Sequence, residues 1–166
     1  MENLRLMLRV NRMDDQIEII NGKKVTDDRG SVSFINDFDF KNIKRMYVVD
    51  NHKSGFVRAW HGHNHESKYI TVLSGAALIA VVPLHAFAFV TWPGGNYDES
   101  TIFRRVLSAD NPQIIRVPKN FANGAKTLVD GTKILYLSDK TLEESKNDDL
   151  RFSAECFRSV WDIIER

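Results

Sequence analysis

Short runs of apolar and β-branched residues recur along the chain at fairly regular spacing. Polar residues, Gly or Pro separate these runs. Runs of this length that are rich in Val, Ile, Phe and Thr predict β-strands. The predicted strands cover residues 4–10, 16–20, 30–34, 45–49, 69–73, 76–82, 87–92, 101–107, 113–117, 125–128 and 133–138. The pattern therefore predicts an all-β domain.

One apolar segment, residues 70–92, is about as long as a membrane-spanning helix. Ser74 and Gly75 form a turn signal within it, and Pro83 and His85 interrupt it further on. Its Val, Ile, Phe and Thr residues favour pleated strands over helix. We therefore expect buried strands of a barrel or sandwich here, and no membrane segment.

The C-terminal segment has a different pattern. Cys156, Val160 and Ile164 lie four residues apart, which places them on one face of a helix. A short terminal helix is therefore predicted to pack against the β-domain.

Composition narrows the classes of function. Hydrophobic residues make up 43% of the 166 positions and charged residues 27%, so a core can be buried and disorder is not expected. The net charge of +1 gives no general attraction for nucleic acid or an anionic membrane, and no nucleic-acid-binding motif is evident. Cys156 is the single cysteine, and basic residues interrupt the first ten positions where a signal sequence would be apolar. We expect a cytoplasmic protein.

Candidate chemistry is concentrated between residues 61 and 68. His61, His63 and His65 alternate, and residues two apart on a strand share a face. Such imidazoles form a ready metal chelate, with Glu66 or His65 as a third ligand. Lys68 opposes this interpretation, because a protonated ammonium cannot coordinate and repels a nearby cation. The pattern is compatible with a metal site or with a similar frame adapted to acid-base chemistry.

The spacing around these residues resembles the first signature of the cupin superfamily. The matching positions are Gly55, His61, His63, Lys68 and Gly75, separated by five, one, four and six residues. Lys68 stands where the superfamily usually has a glutamate. Residues 118–123 resemble the second cupin signature, with Asn123 in place of its metal-binding histidine. The resemblance implies an all-β cupin fold, a double-stranded β-helix or jelly-roll barrel, and the two lost ligand positions imply that no metal is bound.

The same residues resemble one cupin branch, the dTDP-4-dehydrorhamnose 3,5-epimerase family, in which a lysine replaces the glutamate. The landmarks are Asp28-Arg29-Gly30, Asp50-Asn51-His52, Arg58-Ala59-Trp60-His61, Lys68, Gly75, Val117-Pro118, Phe121-Ala122-Asn123-Gly124 and Leu135-Tyr136. The ending, with Arg151-Phe152 and Trp161-Asp162-Ile163, resembles a short branch of epimerase-like proteins from nucleotide-sugar pathways. A length of 166 residues predicts one domain, 1–166, which we divide into N-terminal strands in 1–27, the barrel in 28–138 and a polar segment with the helix in 139–166.

The resemblance also implies roles for individual residues. His61 would be the general base that removes a proton next to a 4-keto group, and Lys68 would stabilise the enolate oxygen. Arg29 and Arg58 would hold the nucleotide diphosphate or the sugar, and Asn51 would line the substrate pocket. The chemistry is consistent, because such a proton becomes acidic only when the enolate is stabilised. Since Arg58 and His61 lie three apart, a bulge at Gly62 would be needed to bring both to one pocket.

The chain departs from the family pattern at the acid and at the partner of the base. The family tyrosine that reprotonates the opposite face aligns near Thr141, and Tyr136 is a candidate replacement if its side chain points inward. The carboxylate that partners the base histidine has no assignable counterpart; the candidates are Asp139, Asp148, Asp149 and Asp162. Asn123 would hydrogen-bond a sugar hydroxyl or carbonyl.

We therefore predict a metal-independent epimerase or isomerase that needs no cofactor. Its substrate would be a nucleotide-linked 4-keto-6-deoxy sugar used in a surface polysaccharide or another glycosylated product. Two alternatives stay open: a sugar-nucleotide-binding cupin without catalysis, and a metal-dependent cupin enzyme. The predicted strands at 4–10 and 16–20 imply a homodimer, since related epimerases pair subunits through such strands and an unpaired edge is a liability.

Overall fold

Antiparallel strands make up most of the chain that the computed structural model describes, residues 16–91 and 95–163. The strands are β1 (Glu18–Asn21), β2 (Lys23–Asp27), β3 (Gly30–Phe34), β4 (Arg45–Asp50), β5 (Val57–His63), β6 (Lys68–Ser74), β7 (Ala76–Pro83), β8 (Phe103–Ser108), β9 (Gln113–Val117), β10 (Phe121–Thr127), β11 (Lys133–Ser138) and β12 (Leu150–Arg151). Two short α-helices, α1 (Ala86–Thr91) and α2 (Leu142–Lys146), and 3-10 helices at Glu99–Thr101 and Arg158–Trp161 complete it. The predicted strand at 4–10 lies outside the described residues.

Two five-stranded sheets form the body of the fold. Sheet I has the order β1-β9-β6-β11-β4, sheet II has the order β12-β5-β10-β7-β8, and β2 and β3 form a separate hairpin. Every pair is antiparallel, and most neighbours in a sheet are distant in sequence. This crossing of the chain between two sheets is the arrangement of a jelly roll. The predicted all-β cupin fold is confirmed.

Strand β7 explains why residues 70–92 are so apolar. Ala77, Ile79 and Val81 face the core between the sheets, while Leu78 and Val82 face a second core on the outside of sheet II. Because both faces are covered, β7 is a continuous apolar run instead of an alternating one. Among the described residues, no helix is long and apolar enough to cross a membrane.

The second core is closed by α1 and the C-terminal residues. Trp60 packs there with Phe87 of α1 and with Phe157, Val160 and Trp161. The predicted strand at 87–92 is wrong: residues 86–91 are helical, and Phe87 packs against the sheet instead of joining it. Within the described residues, the predicted C-terminal helix is present only as the 3-10 turn Arg158–Trp161; Ile164 of the expected stripe lies outside them.

Gly75 joins β6 to β7 in a left-handed conformation, with a φ of 74°. A Cβ at this position would overlap Thr132. The Thr132 hydroxyl is committed to its neighbours, since it donates to the carbonyl of Val129 at 2.6 Å and accepts from the amide of Ala76 at 3.2 Å. The turn therefore needs glycine for its backbone conformation and also for the space beside it.

Gly75→Ala is expected to lower the free energy of unfolding by about 2–4 kcal/mol, because backbone strain and overpacking act together. Gly131→Ala is the matched control, since Gly131 has a φ of 73° and open space around it. The control should lose only the backbone contribution, about 1–2 kcal/mol. Urea unfolding of both variants measures the difference. Equal losses would show that the overlap with Thr132 costs nothing.

Candidate active site

A cavity of about 420 Å³ lies between the two sheets. Sheet I contributes side chains of β4, β6 and β11, sheet II contributes β5, β10 and β12, and α2 closes one side. The lining side chains are Arg45, Tyr47, Val49, Arg58, His61, His63, Lys68, Asn123, Tyr136, Leu142, Ser145, Lys146, Asp149 and Arg151. The structure thus brings together five of the seven site residues singled out in the sequence; Arg29 and Asn51 do not line the cavity.

A bulge in β5 places Arg58 and His61 on the same side. His61 pairs with Asn123 of β10, and Arg58 pairs with Ala125. Three steps along β5 therefore match two along β10, which puts the extra residue between Arg58 and His61. The expected bulge exists, but it precedes His61 instead of lying at Gly62. Gly124 makes room for it, because a Cβ there would come within 2.6 Å of Ala59.

The His61 imidazole is held in its neutral form. Burial is the main cause that lowers its pKa to about 4, and the charges of Arg151 and Lys68 lower it further. A guanidinium nitrogen of Arg151 donates to Nδ1 of His61, so the ring proton is on Nε2. Arg151 is itself anchored by Asp149, whose two carboxylate oxygens each lie 2.8 Å from Nε. The direct partner of His61 is therefore a cation, where the family pattern has a carboxylate.

His63 and Lys68 form a buried pair on facing strands. Nζ of Lys68 lies 2.8 Å from Nε2 of His63. On the other side of the ring, Nδ1 lies 3.1 Å from Oε2 of Glu66, close enough for an ion pair although not aligned as a hydrogen bond. All three side chains are buried. Two basic groups and one carboxylate thus share a site with little water around it.

Lys68 is more acidic than an ordinary lysine. Burial lowers its pKa to about 8, while the charge of Glu66 opposes that shift. The ammonium therefore still predominates at neutral pH, and it is buried in the cavity wall. A positive charge in such surroundings stabilises a developing oxyanion far better than one in water.

Two tyrosines stack on the wall formed by sheet I. The rings of Tyr47 and Tyr136 lie parallel with their centroids 5.0 Å apart. Burial raises the pKa of Tyr47 to about 12, and burial raises that of Tyr136 further above its ordinary range. Both hydroxyls therefore stay protonated and can serve only as hydrogen-bond donors or as weak acids. Tyr136 does line the cavity, and Tyr47 is a second hydroxyl beside it.

Arg58 reaches the cavity with help from Asn51. Nε of Arg58 donates to the side-chain oxygen of Asn51 at 2.7 Å, and the Asn51 amide donates to Thr127 at 3.4 Å. Asn51 is buried behind the cavity wall, so its contact is with the arginine. Asn123 lines the wall and donates to the backbone carbonyl of His61 at 3.0 Å, which ties β10 to β5.

Arg29 lies elsewhere, at the tip of the β2–β3 hairpin. Its side chain is exposed and pairs with Asp27 at 2.6 Å. This is the local turn pairing that an Asp-x-Arg sequence favours, and within the described chain it brings Arg29 to no cavity residue.

The candidate carboxylate partners of His61 have other contacts. Asp139 accepts from the amide of Ser67, Asp148 from the amides of Asn64 and His65, and Asp149 pairs with Arg151. Asp162 lies at the far side of the second core, where its carbonyl accepts from Arg104. Of the four, only Asp149 reaches the cavity, and it acts on His61 through Arg151.

The donor set does not suit a metal. Nε2 of His63, which a chelate with His61 would need, is occupied by Lys68. Glu66 is committed to Ser138, Ser145 and Arg45. Across residues 16–91 and 95–163, no three His, Cys, Asp or Glu side chains are arranged to hold a metal ion.

Several cavity residues were not identified from the sequence: Arg45, Tyr47, Ser145, Lys146 and Arg151. The first two follow from strand alternation, because Arg45, Tyr47 and Val49 occupy every second position of β4. Ser145, Lys146 and Arg151 come from the segment after the barrel, where no periodic pattern marks them.

Comparison with known proteins identifies the family. The model of the dTDP-4-dehydrorhamnose 3,5-epimerase family matches residues 14–165. The dTDP-4-dehydrorhamnose 3,5-epimerase of Bacillus anthracis, solved with TDP and PPi bound, is 24% identical, with a TM-score of 0.64 over 82% of this chain and 78% of that one. The QdtA 3,4-ketoisomerase of Thermoanaerobacterium thermosaccharolyticum is 17% identical, with a TM-score of 0.61 over 85% and 90%.

A 3,4-ketoisomerase from Helicobacter canadensis is 22% identical, with a TM-score of 0.59 over 89% of this chain and 98% of that one. Identities this low establish a shared fold. No curated protein matches the chain. The family match covers nearly the whole chain and confirms the predicted assignment. This protein belongs to the dTDP-4-dehydrorhamnose 3,5-epimerase family.

Proposed function

We propose that this protein is an epimerase or ketoisomerase of a nucleotide-linked 4-keto-6-deoxy sugar. The observation that carries the proposal is the convergence of His61, Lys68 and Tyr136 on one cavity between the sheets. A neutral imidazole, a buried ammonium and a protonated phenol are the base, the oxyanion stabiliser and the acid that enolisation next to a ketone requires. Neither a metal nor a redox cofactor is needed for this chemistry.

In the proposed mechanism, His61 removes the proton from the carbon beside the ketone. The electrons move to the carbonyl oxygen, which Lys68 neutralises. Arg151 must release Nδ1 of His61 before that nitrogen can accept a proton, and the substrate diphosphate is a suitable competing partner for its guanidinium. Arg58, Arg45 and Lys146 supply further positive charge around the same cavity.

Two outcomes are compatible with enolisation, and the cavity favours neither by charge alone. His61 comes from sheet II and Tyr136 from sheet I, so a proton removed from one face of the sugar can be returned to the other, which is epimerisation. His61 and His63 are two apart on β5 and line the same wall. If the proton is instead returned on that same wall to the former carbonyl carbon, while the former carbonyl oxygen keeps a proton and the hydroxyl of the neighbouring carbon loses one, the carbonyl moves to the neighbouring carbon, which is ketoisomerisation. The similarity to a 3,4-ketoisomerase over almost its full length supports ketoisomerisation as a second possible reaction.

We also propose a cytoplasmic homodimer. Apolar side chains remain exposed on the hairpin and on the outer face of β4, among them Val25, Val32, Met46 and Val48. A second copy covering them would remove this apolar surface from water. The mass of the protein in solution tests whether it is a dimer.

We expect the protein to incorporate deuterium from D2O into one member of a panel of dTDP-, UDP- and GDP-linked 4-keto-6-deoxy sugars. Mass spectrometry counts the labels, and NMR locates the carbonyl and the inverted centres. One label with an unmoved carbonyl indicates epimerisation at one carbon, two labels indicate two, and a moved carbonyl indicates ketoisomerisation. If the protein binds members of the panel but none incorporates deuterium, the proposal of an enzyme is refuted and a sugar-nucleotide-binding protein remains.

A further inference from the structure

Glu66 is a buried carboxylate for which the proposed reaction has no direct use. It sits between β5 and β6, and its side chain has no exposure to solvent. Three donors hold it: Ser138 on β11 at 2.7 Å, Ser145 on α2 at 2.6 Å and Arg45 on β4 at 3.0 Å. Each donor comes from a different element, so the position of the carboxylate is fixed by the fold. An ion that is so expensive to bury needs a compensating partner.

Glu66 stays ionised despite its burial. Burial alone would raise its pKa, but the charge of Lys68 and the hydrogen bonds from Ser145 and Ser138 outweigh burial, so the pKa lies below its ordinary value. The remaining side of the carboxylate faces Nδ1 of His63 at 3.1 Å, and Nε2 of that ring meets Lys68 at 2.8 Å. The negative charge is thus directed at the two basic groups of the cavity.

Two buried bases in contact carry one positive charge between them more easily than two. Burial lowers the pKa of both His63 and Lys68, and each positive charge disfavours the other, whereas Glu66 favours the protonated form of both. Among the described residues, the next carboxylate near His63 is that of Asp148, 4.0 Å from Nδ1, so removing Glu66 would weaken the opposition to burial. The other charged or titratable groups facing the pair are Arg45 and Tyr47 on β4, His61 on β5, Tyr136 on β11, Lys146 on α2, and Asp148, Asp149 and Arg151 after it.

We propose that Glu66 is a positioning residue that keeps one proton on the buried His63–Lys68 pair and sets the orientation of the His63 ring. Through His63 it keeps Lys68 as the ammonium that the enolate oxygen needs, because a ring with its proton on Nδ1 presents Nε2 as an acceptor for that ammonium. The catalytic consequence rests on the proposed function, but the charge state of the pair does not.

The test is Glu66→Gln, which keeps the size of the side chain and removes its charge. NMR of 15N-labelled histidine in the full chain, with His63→Asn to assign the signal, reports which ring nitrogen carries the proton and where His63 titrates. In the wild type we expect the neutral His63 ring to carry its proton on Nδ1, facing Glu66. In Glu66→Gln we expect this preference to weaken and the His63 midpoint to fall by about 1–3 units, the usual effect of removing a close opposite charge.

The second measurement is the dependence of kcat on pH, and in particular its alkaline limb. It should move to lower pH in Glu66→Gln, because Lys68 loses its proton more readily, while KM at the pH optimum changes little. Glu143→Gln is the matched control: Glu143 is exposed on α2, and the same change there should leave both measurements unaltered. A purely structural role for Glu66 would lower the amount of folded protein without moving either titration.

Glu66→Asp covers the case in which Glu66→Gln does not fold. It keeps the charge but withdraws the carboxylate from Nδ1, so the His63 midpoint should fall by less than in Glu66→Gln. An unchanged His63 tautomer and midpoint in the folded variant overturns the proposal, even if the enzyme is active. Conversely, absence of turnover in the wild type refutes the proposed function, while the NMR result still decides the role of Glu66.

Discussion

Lys68→Met is expected to lower kcat by about 10²–10³-fold, the usual effect of removing one preorganised group that stabilises an oxyanion. The buried ammonium contacts Nε2 of His63, and the other cation that sheet I brings to the cavity, Arg45, is committed to Glu66. KM should change much less, because the carbonyl oxygen is only weakly charged in the ground state. Steady-state kinetics on the substrate found in the exchange experiment measures both parameters.

Methionine has a similar length, and Arg45, Ser138 and Ser145 still hold the buried Glu66, but losing one counter-charge of that carboxylate is expected to cost stability, up to about 3–5 kcal/mol. The kinetics are therefore compared on protein shown to be folded. Lys133→Met is the control, since Lys133 is exposed on β11 and pairs only loosely with Asp50 at 3.9 Å. It should retain wild-type kcat. Full activity in Lys68→Met would mean that another group, such as a tyrosine hydroxyl, stabilises the enolate.

Most strands were predictable because their apolar residues respond to burial. Strands β9 and β11 are largely buried and have the predicted bounds, and the continuous apolar run of β7 marks a strand covered on both faces. Strand β2 was missed for the opposite reason. All five of its residues are exposed, so burial imposes no alternation on them.

The helix α1 was predicted as a strand because its sequence, Ala-Phe-Ala-Phe-Val-Thr, has high β-propensity. Propensity is a weak signal in so short a segment, and tertiary contacts override it. Phe87 stacks on Phe152 with ring centroids 3.9 Å apart, and it also contacts Trp60. These partners come from β5 and from the chain after β12, which no local pattern in residues 86–91 can reveal.

The residues of the candidate site also fall into those that the sequence predicted and those that only the fold reveals. His61, Lys68 and Asn123 occupy positions of sequence signatures, so a resemblance was enough to find them. Tyr47 was hidden by its neighbours: Met46 and Val48 are apolar yet exposed, which obscures the alternation of β4. Arg151 and Ser145 reach the cavity only because β12 pairs with β5 and α2 packs over Glu66. Contacts between segments about 80–90 residues apart follow from the fold, so no local pattern in the sequence marks the residues that make them.

These late contacts also change the chemistry of the base. A carboxylate beside a histidine raises its pKa and helps it to hold a proton, whereas Arg151 and Lys68 lower the pKa of His61. An imidazole of low pKa is a weaker base, but it is almost entirely unprotonated at neutral pH. The enolate must then be stabilised more strongly for the proton to leave, which is the task of Lys68 and its buried counter-ion.

His61→Asn is therefore expected to lower kcat by about 10²–10⁴-fold, the usual contribution of a general base, and to slow deuterium incorporation by a similar factor. In the wild type, the acid limb of kcat/KM that belongs to His61 should lie near pH 4 to 5, since its pKa is about 4. Arg151→Gln should move this limb to higher pH, because it removes a charge that lowers the pKa. His85→Asn, an exposed histidine before α1, should change none of these values. Wild-type exchange in His61→Asn would transfer the role of base to another residue, with His63 on the same wall the first to test.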